Sequence, residues 1–283
     1  MQVFEHIVPL QTAIRSLKEK ENTIGLVPTM GALHEGHLSL IRQAIAETSV
    51  TVVSIFVNPT QFNDKKDLEK YPRTIHGDLD MLQQIMRKDD LVFTPDDQEM
   101  YPVKDTRVFD FGHLDNIMEG VFRKGHFNGV AQVVTKLFDI VIPDKAYFGE
   151  KDYQQLAIIN HLVSQQNYPI EIVPCPIVRE GDGLAMSSRN KRLSAREREE
   201  AVLINKTLSE AVRKAKHMEV EEVKKWVTES LNDSKLLRVE YFEIVDGLLL
   251  KPVKSWTEKG KKIGCIAVWA GKIRLIDNIA FQE

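Results

Sequence analysis

The stretch T-I-G-L-V-P-T-M-G-A-L-H-E-G-H-L-S-L, residues 23–40, decides the fold because it passes from a strand through a turn into a helix. The run I-G-L-V at 24–27 is bounded by Pro28, as expected for a short central strand of a parallel sheet. From about Gly36 the apolar residues recur at helical spacing. A strand, a glycine-containing turn and a helix in this order favour a nucleotide-binding βαβ unit.

The turn carries the residue types that an anion site needs. Gly31 and Gly36 lack a β-carbon, so backbone N–H groups can approach a phosphate, and the helix directs its positive end to the same point. His34 and His37 are three residues apart, so if the helix has begun by His34 both imidazoles lie on one helical face. An H-x-x-H pair also occurs on plain surfaces and in metal sites. These four residues alone leave those alternatives open.

Length and charge limit the possible functions. A chain of 283 residues holds two domains, or one sheet domain with a smaller appendage. The formal net charge is −3, so the molecule has no overall positive field to bind nucleic acid, and we expect no nucleic-acid partner. Any phosphate ligand has to be bound by local groups.

The two cysteines and the N-terminus point to a cytoplasmic protein. Cys175 and Cys265 lie in apolar, strand-like runs without a C-x-x-C motif, so we interpret them as core residues and predict no metal site. The start M-Q-V-F-E-H-I-V-P-L lacks the pattern of a signal peptide, and no run of about 18 apolar residues occurs. We expect no membrane segment.

A β-α-β rhythm continues along the first half of the chain. The patterns predict helices at 10–20, 36–48, 75–87 and 129–140, and strands at 23–27, 51–57, 91–93, 146–148 and 170–178. Strand 51–57 is apolar and β-branched, which is typical of a strand buried on both faces. Ligands bind beyond the carboxyl ends of parallel strands, so we expect Asn58 and Gln61, which follow this strand, beside the first turn.

Three later segments add polar groups. The irregular sequence at 100–128 predicts an active-site flap or a solvated connection. After the strand at 146–148, Lys151, Asp152 and Gln155 are expected on the ligand-facing first turn of a helix. The basic stretch at 179–193 is consistent with a phosphate-binding loop, although a solvated charged face is the alternative.

The remaining sequence predicts a separate, smaller domain. Ser194 has the position of an N-cap before the helical patterns at 195–217 and 220–231. Strands are predicted at 238–246, 263–270 and 273–276. We therefore expect an α/β protein with a Rossmann-like parallel-sheet domain at 1–177 and an α+β C-terminal domain at 178–283.

Seven motifs occur in order along nearly the whole chain. They are P-T-M-G-A-L-H-E-G-H at 28–37, F-V-N-P-T-Q-F at 56–62, Y-P-R at 71–73, G-H-F-N-G-V at 125–130, F-G-E-K-D-Y-Q-Q-L at 148–156, R-E-G-D-G-L-A-M-S-S-R-N at 179–190 and R-L-I-D-N at 274–278. Each motif alone is weak, but together they closely resemble the bacterial pantothenate synthetase family, of the HxGH nucleotidyltransferase superfamily.

The resemblance implies ATP-dependent ligation of pantoate with β-alanine through a pantoyl adenylate, with release of AMP. It also implies Mg²⁺ carried by ATP, and a homodimer of Rossmann-like domains with smaller C-terminal lids. ATP binding is assigned by resemblance to Met30, Gly31, Ala32, Leu33, His34, Glu35, Gly36, His37, Gly149, Glu150, Lys151, Asp152, Val178, Met186, Ser187, Ser188 and Arg189.

The same resemblance suggests roles for individual side chains. His37 is the expected donor to the phosphates, with His34, Lys151 and Arg189 as the other catalytic groups. Asp152 matches the group that binds the ribose hydroxyls.

Substrate binding is implied by resemblance as well. Gln61 and Gln155 match the glutamines that bind pantoate, and Gln61 is also placed against β-alanine. Asn58 is expected to hold this substrate-binding part of the site in place. One residue departs from the family pattern, because Asn128 stands in G-H-F-x-G-V where we expect arginine. The role of that segment is left open.

Two other functions remain possible from the sequence. The first is another nucleotidyltransferase of the same architecture that releases a nucleotidylated product. The second is a nucleotide-sensing scaffold that binds ATP without chemistry. Turnover, and its dependence on pantoate, distinguish these two functions from the ligation of pantoate with β-alanine.

Overall fold

The computed structural model describes residues 1–63 and 65–282; Asp64 and Glu283, the last residue of the predicted C-terminal domain, lie outside the described part. The chain divides into two compact units. The first unit comprises Met1–Gly149 and Ile158–Cys175, and the second comprises Glu150–Ala157 and the chain from Pro176 onward. The predicted division into 1–177 and 178–283 stays a prediction.

The first unit is built on a parallel sheet. Its strands are β1 (Gln2–Phe4), β2 (Ile24–Thr29), β3 (Val50–Ile55), β4 (Leu91–Phe93), β5 (Lys145–Gly149) and β6 (Glu171–Cys175). Its helices are α1 (Ile7–Lys18), α2 (Glu35–Glu47), α3 (Lys65–Glu69), α4 (Ile75–Gln83), α5 (Asp97–Met100), α6 (Met118–Phe122) and α7 (His126–Val141), and α8 (Tyr153–Gln166) begins in residues of the second unit. Short 3₁₀ turns occur at Pro59–Gln61, Gly112–Asp115, Glu150–Asp152 and Ser188–Arg192.

Within the described residues the sheet has six strands in the order β1-β4-β3-β2-β5-β6, and all neighbouring pairs are parallel. Every residue of β3 is buried, which confirms the prediction of a strand without a solvent face. Val27 and Val53 pack with Leu38 and Ile41 of α2, so this helix covers one face of the sheet. The predicted Rossmann-like parallel fold is confirmed.

The structure departs from the sequence predictions at two places in the first half of the chain, of which one is a missed element. The strand β1 was not predicted, because Gln2 and Val3 are exposed and show no strand pattern. The supposedly irregular region at 100–128 contains two short helical segments, and α7 begins at His126. The motif G-H-F-N-G-V is therefore the first turn of a buried helix, and Gly125, with φ 81°, makes the turn that precedes it.

The second unit is smaller and antiparallel. Its helices are α9 (Ala195–Lys214) and α10 (Val220–Asn232), and its strands β7 (Leu237–Asp246), β8 (Lys262–Ala270) and β9 (Ile273–Gln282) form a sheet in that order. Ser194 caps α9 as predicted. Its hydroxyl accepts from the N–H of Glu197 at 3.3 Å, and the Glu197 carboxylate accepts from the N–H of Ser194 at 2.8 Å.

The cysteine prediction is confirmed, since Cys175 on β6 and Cys265 on β8 are both buried in the apolar interior of their units. In the part of the chain that the structure describes, none of the helices has the length and hydropathy needed to span a bilayer.

Candidate active site

The strand order defines where a ligand site lies in the first unit. From β2 the sheet continues through β3 and β4 on one side, whereas β5 and β6 extend it on the other side. In open parallel sheets, ligands bind beyond the carboxyl ends of the two strands at such a reversal. Met30 follows β2, and Gly149 is the last residue of β5. Two residues assigned to ATP thus stand at the two strand ends that flank the reversal.

The turn after β2 is held by a buried carboxylate. Asp78 of α4 is only 2% exposed, and it accepts from the N–H of Ala32 at 2.9 Å and from the N–H of Leu33 at 2.8 Å. The N–H of Gly31 donates to the Thr29 hydroxyl at 3.2 Å. These three amides therefore have acceptors within the protein, and phosphate binding by the backbone of this turn stays a prediction.

Gly31 has a different role from the one expected. Its φ is +77°, and a β-carbon there would lie 2.9 Å from Asp78 Oδ2 and 3.1 Å from Ile55 Cγ2. Ala32 also has a positive φ, of 49°, which is strained for a residue with a side chain. Glycine therefore permits the approach of Asp78, and Asp78 in turn stabilises the strained turn. ATP binding by residues 30–33 stays a prediction.

The two histidines lie side by side, although α2 begins only after His34. His34 is the N-cap of α2 and His37 its third residue, and the N–H of His37 donates to the His34 carbonyl at 2.8 Å. Their ring centroids are 4.1 Å apart. Two positive charges at this distance, at the positive end of a helix, would repel each other and the helix dipole. A bound phosphate would remove that penalty, so the pair is suited to an anionic ligand.

The wall formed by Asn58 and Gln61 lies against the same turn. The Gln61 amide nitrogen is 2.8 Å from Met30 Sδ, and the Asn58 amide nitrogen is 3.3 Å from Gln61 Oε1. Both side chains are buried, at 1% and 8% exposure. The structure therefore brings together a residue assigned to ATP and two residues assigned to the substrate.

Tyr101, which sequence analysis missed, completes this wall. Its hydroxyl donates to Asn58 Oδ1 at 2.9 Å. Burial raises the pKa of Tyr101 to about 12, so the phenol stays protonated and remains a donor at neutral pH. The tyrosine thereby fixes the orientation of the Asn58 amide.

The first turn of α7 hydrogen-bonds to the backbone of Gln61 and packs closely against it. His126 Nδ1 is 2.8 Å from the Gln61 carbonyl, so Nδ1 carries a proton and donates. Arg123 Nη1 lies 3.0 Å from His126 Nε2 and donates to it. Gly129, one turn further on, packs against the backbone of Thr60 and Gln61 so closely that no β-carbon fits. The motif around these residues was recognised in the sequence, but its contact with Gln61 was not.

Asn128 has a clear contact set. Its Oδ1 accepts from the N–H of Phe109 at 2.9 Å, and its Nδ2 donates to the Arg107 carbonyl at 3.1 Å. Gln132 donates to the same carbonyl at 2.9 Å. The residue that replaces the expected arginine therefore binds the preceding connection to α7. These hydrogen bonds hold residues 107–109 of the predicted flap against α7.

The second unit brings its predicted residues into two groups. Glu150, Lys151 and Asp152 form a 3₁₀ turn, in which Lys151 Nζ lies 3.3 Å from Asp152 Oδ2. In the other group, the N–H of Met186 donates to the Val178 carbonyl at 3.0 Å, so these two residues lie on one hairpin.

The hairpin continues into a capped turn. Ser187 caps the 3₁₀ turn that holds Ser188 and Arg189, accepting from the Arg189 N–H at 3.2 Å. On α8, Gln155 is half-buried. Across residues 1–63 and 65–282, no three His, Cys, Asp or Glu side chains cluster as ligands for a metal ion.

A parallel sheet with its candidate ligand groups at the strand reversal is the architecture of Rossmann-like nucleotide-binding proteins. The family model for pantoate-beta-alanine ligase matches residues 2–280 of the chain. Pantothenate synthetases of Bacteroides thetaiotaomicron and Bacteroides fragilis are 55% and 53% identical to it, and each match covers both chains completely. The chain belongs to the pantoate–β-alanine ligase family, and it is a ligase.

Solved structures agree with this assignment. A pantothenate synthetase from Thermus thermophilus superimposes with a TM-score of 0.92 at 38% identity, with complete coverage of both chains. A pantoate-beta-alanine ligase from Francisella tularensis, complexed with beta-gamma ATP and beta-alanine, gives a TM-score of 0.82 at 36% identity. That match covers all of this chain and 98% of the other.

Proposed function

We propose that the protein condenses (R)-pantoate with β-alanine to form pantothenate, the precursor of coenzyme A. ATP activates pantoate as a bound pantoyl adenylate, pyrophosphate leaves, and the β-alanine amine then displaces AMP. The contact of Gln61 with Met30, 2.8 Å between Nε2 and Sδ, carries the proposal. The attacking carboxylate and the attacked phosphorus have to meet, and this contact joins a residue assigned to pantoate with one assigned to ATP.

Both reactants of the first step are anions, so stabilisation of charge and in-line positioning carry the rate. As negative charge grows on the α-phosphate and on the departing pyrophosphate, His37 and His34 donate from the N-terminus of α2. Lys151 and Arg189 supply positive charge. Lys151 pairs with Asp152, but both side chains are partly exposed, at 21% and 44%, so phosphate can replace this weak partner at little cost.

The two glutamines suit a substrate whose carboxylate must stay nucleophilic. An arginine that gripped the pantoate carboxylate bidentately would stabilise the ground state and slow its attack. An amide hydrogen bond from Gln61 or Gln155 orients the substrate with less stabilisation. Burial of Gln61 behind Asn58 and Tyr101 holds its amide in one place.

The remaining nucleotide contacts are assigned to other residues that match the family motifs. Asp152 would accept from the ribose hydroxyls, and the backbone of Val178 would meet adenine. Ser187 and Ser188 would donate to phosphate without adding charge. We propose that Mg²⁺ enters with ATP, held largely by phosphate and water, and neutralises part of the phosphate charge when bound.

Pyrophosphate exchange tests the proposal. The protein should exchange labelled pyrophosphate into ATP only when pantoate is present, and addition of β-alanine should then produce AMP and pantothenate. Exchange without pantoate, or failure of β-alanine to release AMP, would overturn it. His37→Ala should lower turnover far more than ATP affinity, whereas a nucleotide sensor has no turnover to lose.

Two variants test the division of roles. Lys151→Ala should raise the KM for ATP, because a charge on the phosphates is lost, and Gln155→Ala should raise the KM for pantoate. Steady-state kinetics with each substrate varied in turn separates the two effects. Equal changes in both KM values in both variants would contradict this division.

The homodimer and the cytoplasmic location also belong to the proposal, and both rest on the family resemblance. Sedimentation should give about twice the 32.4 kDa mass of the chain. A monomer across the working concentration range would remove the dimer. Fractionation of the source cells tests the compartment.

A further inference from the structure

The motif R-L-I-D-N near the end of the chain has no role in the proposed reaction, yet two of its residues are buried and polar. Asp277 and Asn278 lie on β9, paired with Ile266 and Cys265 of β8. They are 4% and 7% exposed. Buried polar groups are retained in folded proteins when they satisfy other groups, so their partners show what they hold.

Asn278 holds the turn that carries Lys151. Its Nδ2 donates to the Glu150 carbonyl at 2.8 Å and to the Lys151 carbonyl at 3.0 Å. Both acceptors are backbone atoms of the 3₁₀ turn Glu150–Asp152. One side chain thereby fixes the two successive peptide groups from which the Lys151 side chain projects.

Asp277 holds the hairpin that contains Val178 and Met186, which is the second segment assigned to ATP. Arg179 binds its carboxylate with both terminal nitrogens, at 2.7 Å and 2.9 Å. Arg179 also donates to the Gly183 carbonyl at 3.1 Å, which closes the loop between the two sides of the hairpin. The hairpin places Ala185 opposite Arg179 and Met186 opposite Val178, and it leads directly to Arg189.

The two anchors are themselves joined. Asp277 Oδ1 accepts both from Arg179 and from the backbone N–H of Asn278, at 2.8 Å for the latter. Arg179 donates further to the Asn278 carbonyl at 3.3 Å. The Lys151 turn and the hairpin that leads to Arg189 therefore share one support inside the second unit.

We propose that Asp277 and Asn278 are positioning residues, which hold the two nucleotide-binding segments of the second unit in one fixed relation. They deliver Lys151 and Arg189 to the phosphates together, without contacting ATP themselves. This inference rests on the proposed function. It predicts that changes at 277 and 278 alter nucleotide use even where the protein remains folded.

Three variants test the inference. Asn278→Ala removes both donors, and Asn278→Asp keeps the shape but sets a carboxylate against two carbonyl oxygens. Asp277→Asn removes the charge that Arg179 binds. The KM for ATP in pantoate-dependent exchange should rise by about 10- to 100-fold, by analogy with the loss seen when the partners of metal ligands are removed. Asn278→Asp should be worse than Asn278→Ala, and the KM for pantoate should stay within about twofold.

Glu240→Gln is the matched control. Glu240 on β7 binds Arg274 on β9 at 2.8 Å and 2.6 Å and accepts from Trp269 at 2.8 Å, so it belongs to a partly buried ion pair in the same sheet. It touches neither nucleotide segment among the described contacts. Its loss should lower thermal stability while the KM for ATP is retained.

Hydrogen exchange gives a second measurement that does not depend on activity. Asn278→Ala should speed amide exchange in residues 150–153, and Asp277→Asn in residues 179–189, whereas Glu240→Gln should change neither. If the wild-type protein shows no pantoate-dependent exchange of pyrophosphate, the proposed function fails. If the wild type is active but the 277 and 278 variants match Glu240→Gln in KM and in hydrogen exchange, the positioning role of Asp277 and Asn278 is wrong while the proposed function stands.

Discussion

Replacing Gly129 with alanine should displace Gln61 and injure pantoate use. A β-carbon at 129 would lie 2.5 Å from the carbonyl carbon of Thr60 and 2.7 Å from the Cα of Gln61, whereas ordinary contact begins near 3.4 Å. Both neighbours are backbone atoms that cannot rotate away. The carbonyl oxygen of Thr60 would lie nearer still, so the turn Pro59–Gln61 has to retreat from α7 by about 1 Å to restore ordinary van der Waals separation.

The size of the effect follows from that displacement. A misplacement near 1 Å can cost about 10²-fold in rate, so we expect kcat/KM for pantoate to fall by about 30- to 100-fold. Overpacking costs about 1–3 kcal/mol of stability, and alanine regains about 1 kcal/mol of helix propensity, which leaves a net loss of up to about 2 kcal/mol. Steady-state kinetics and urea unfolding measure the two quantities.

Gly77→Ala is the matched control, because Gly77 also lies inside a helix of the first unit, α4, and a β-carbon there meets nothing within 4 Å. It should stabilise the protein by about 0.4–1 kcal/mol and leave kinetics unchanged. If Gly129→Ala is as stable as Gly77→Ala and uses pantoate like the wild type, the close approach of α7 does not position Gln61.

Three further changes follow from the site. Asp78→Asn should destabilise the protein by about 2–3 kcal/mol in urea unfolding and raise the KM for ATP, because the NH2 group that replaces one carboxylate oxygen cannot accept from the backbone N–H that faces it. His126→Phe keeps a ring but removes the donor to the Gln61 carbonyl, so the KM for pantoate should rise about tenfold while the KM for ATP stays constant. Arg107 holds the pKa of Asp105 below its usual value, so the pair stabilises the protein above about pH 4 and its contribution is lost as the pH falls through the lower, folded-state pKa. The difference in unfolding free energy between wild type and Asp105→Asn should therefore be steady near neutral pH and shrink in acid; a difference that stays as large in acid as at neutral pH would contradict this.

Elements with a strong local signal were predictable from the sequence. The apolar, β-branched run of β3 has no other stable place than the centre of a sheet, and Ser194 with Glu197 forms a capping box that any helix start can use. The pairing of His34 with His37 also follows from local spacing. In each case the interacting residues are a few positions apart.

What escaped prediction depends on contacts between distant residues. Asp78 bonds to amides 45 and 46 positions away, and Asn278 bonds to carbonyls 127 and 128 positions away. No spacing rule connects such residues. The start of α7 escaped for a related reason: its first turn contains Asn128 and Gly129, which have low helix propensity, and burial against the turn Pro59–Gln61 outweighs that preference.

In each unit, a segment assigned to ATP is held by a buried carboxylate, Asp78 in the first unit and Asp277 in the second. In a glycine-rich phosphate loop, backbone N–H groups point at the anion, but here the amides of Ala32 and Leu33 bond to the buried carboxylate of Asp78. In the second unit the buried carboxylate of Asp277 instead binds a side chain, the guanidinium of Arg179. In the proposed reaction, phosphate stabilisation therefore depends on side chains, above all on His37. Hydrogen bonds that hold the neighbouring backbone in one conformation reduce the order that ATP binding has to create, so more of the interaction energy remains for the transition state.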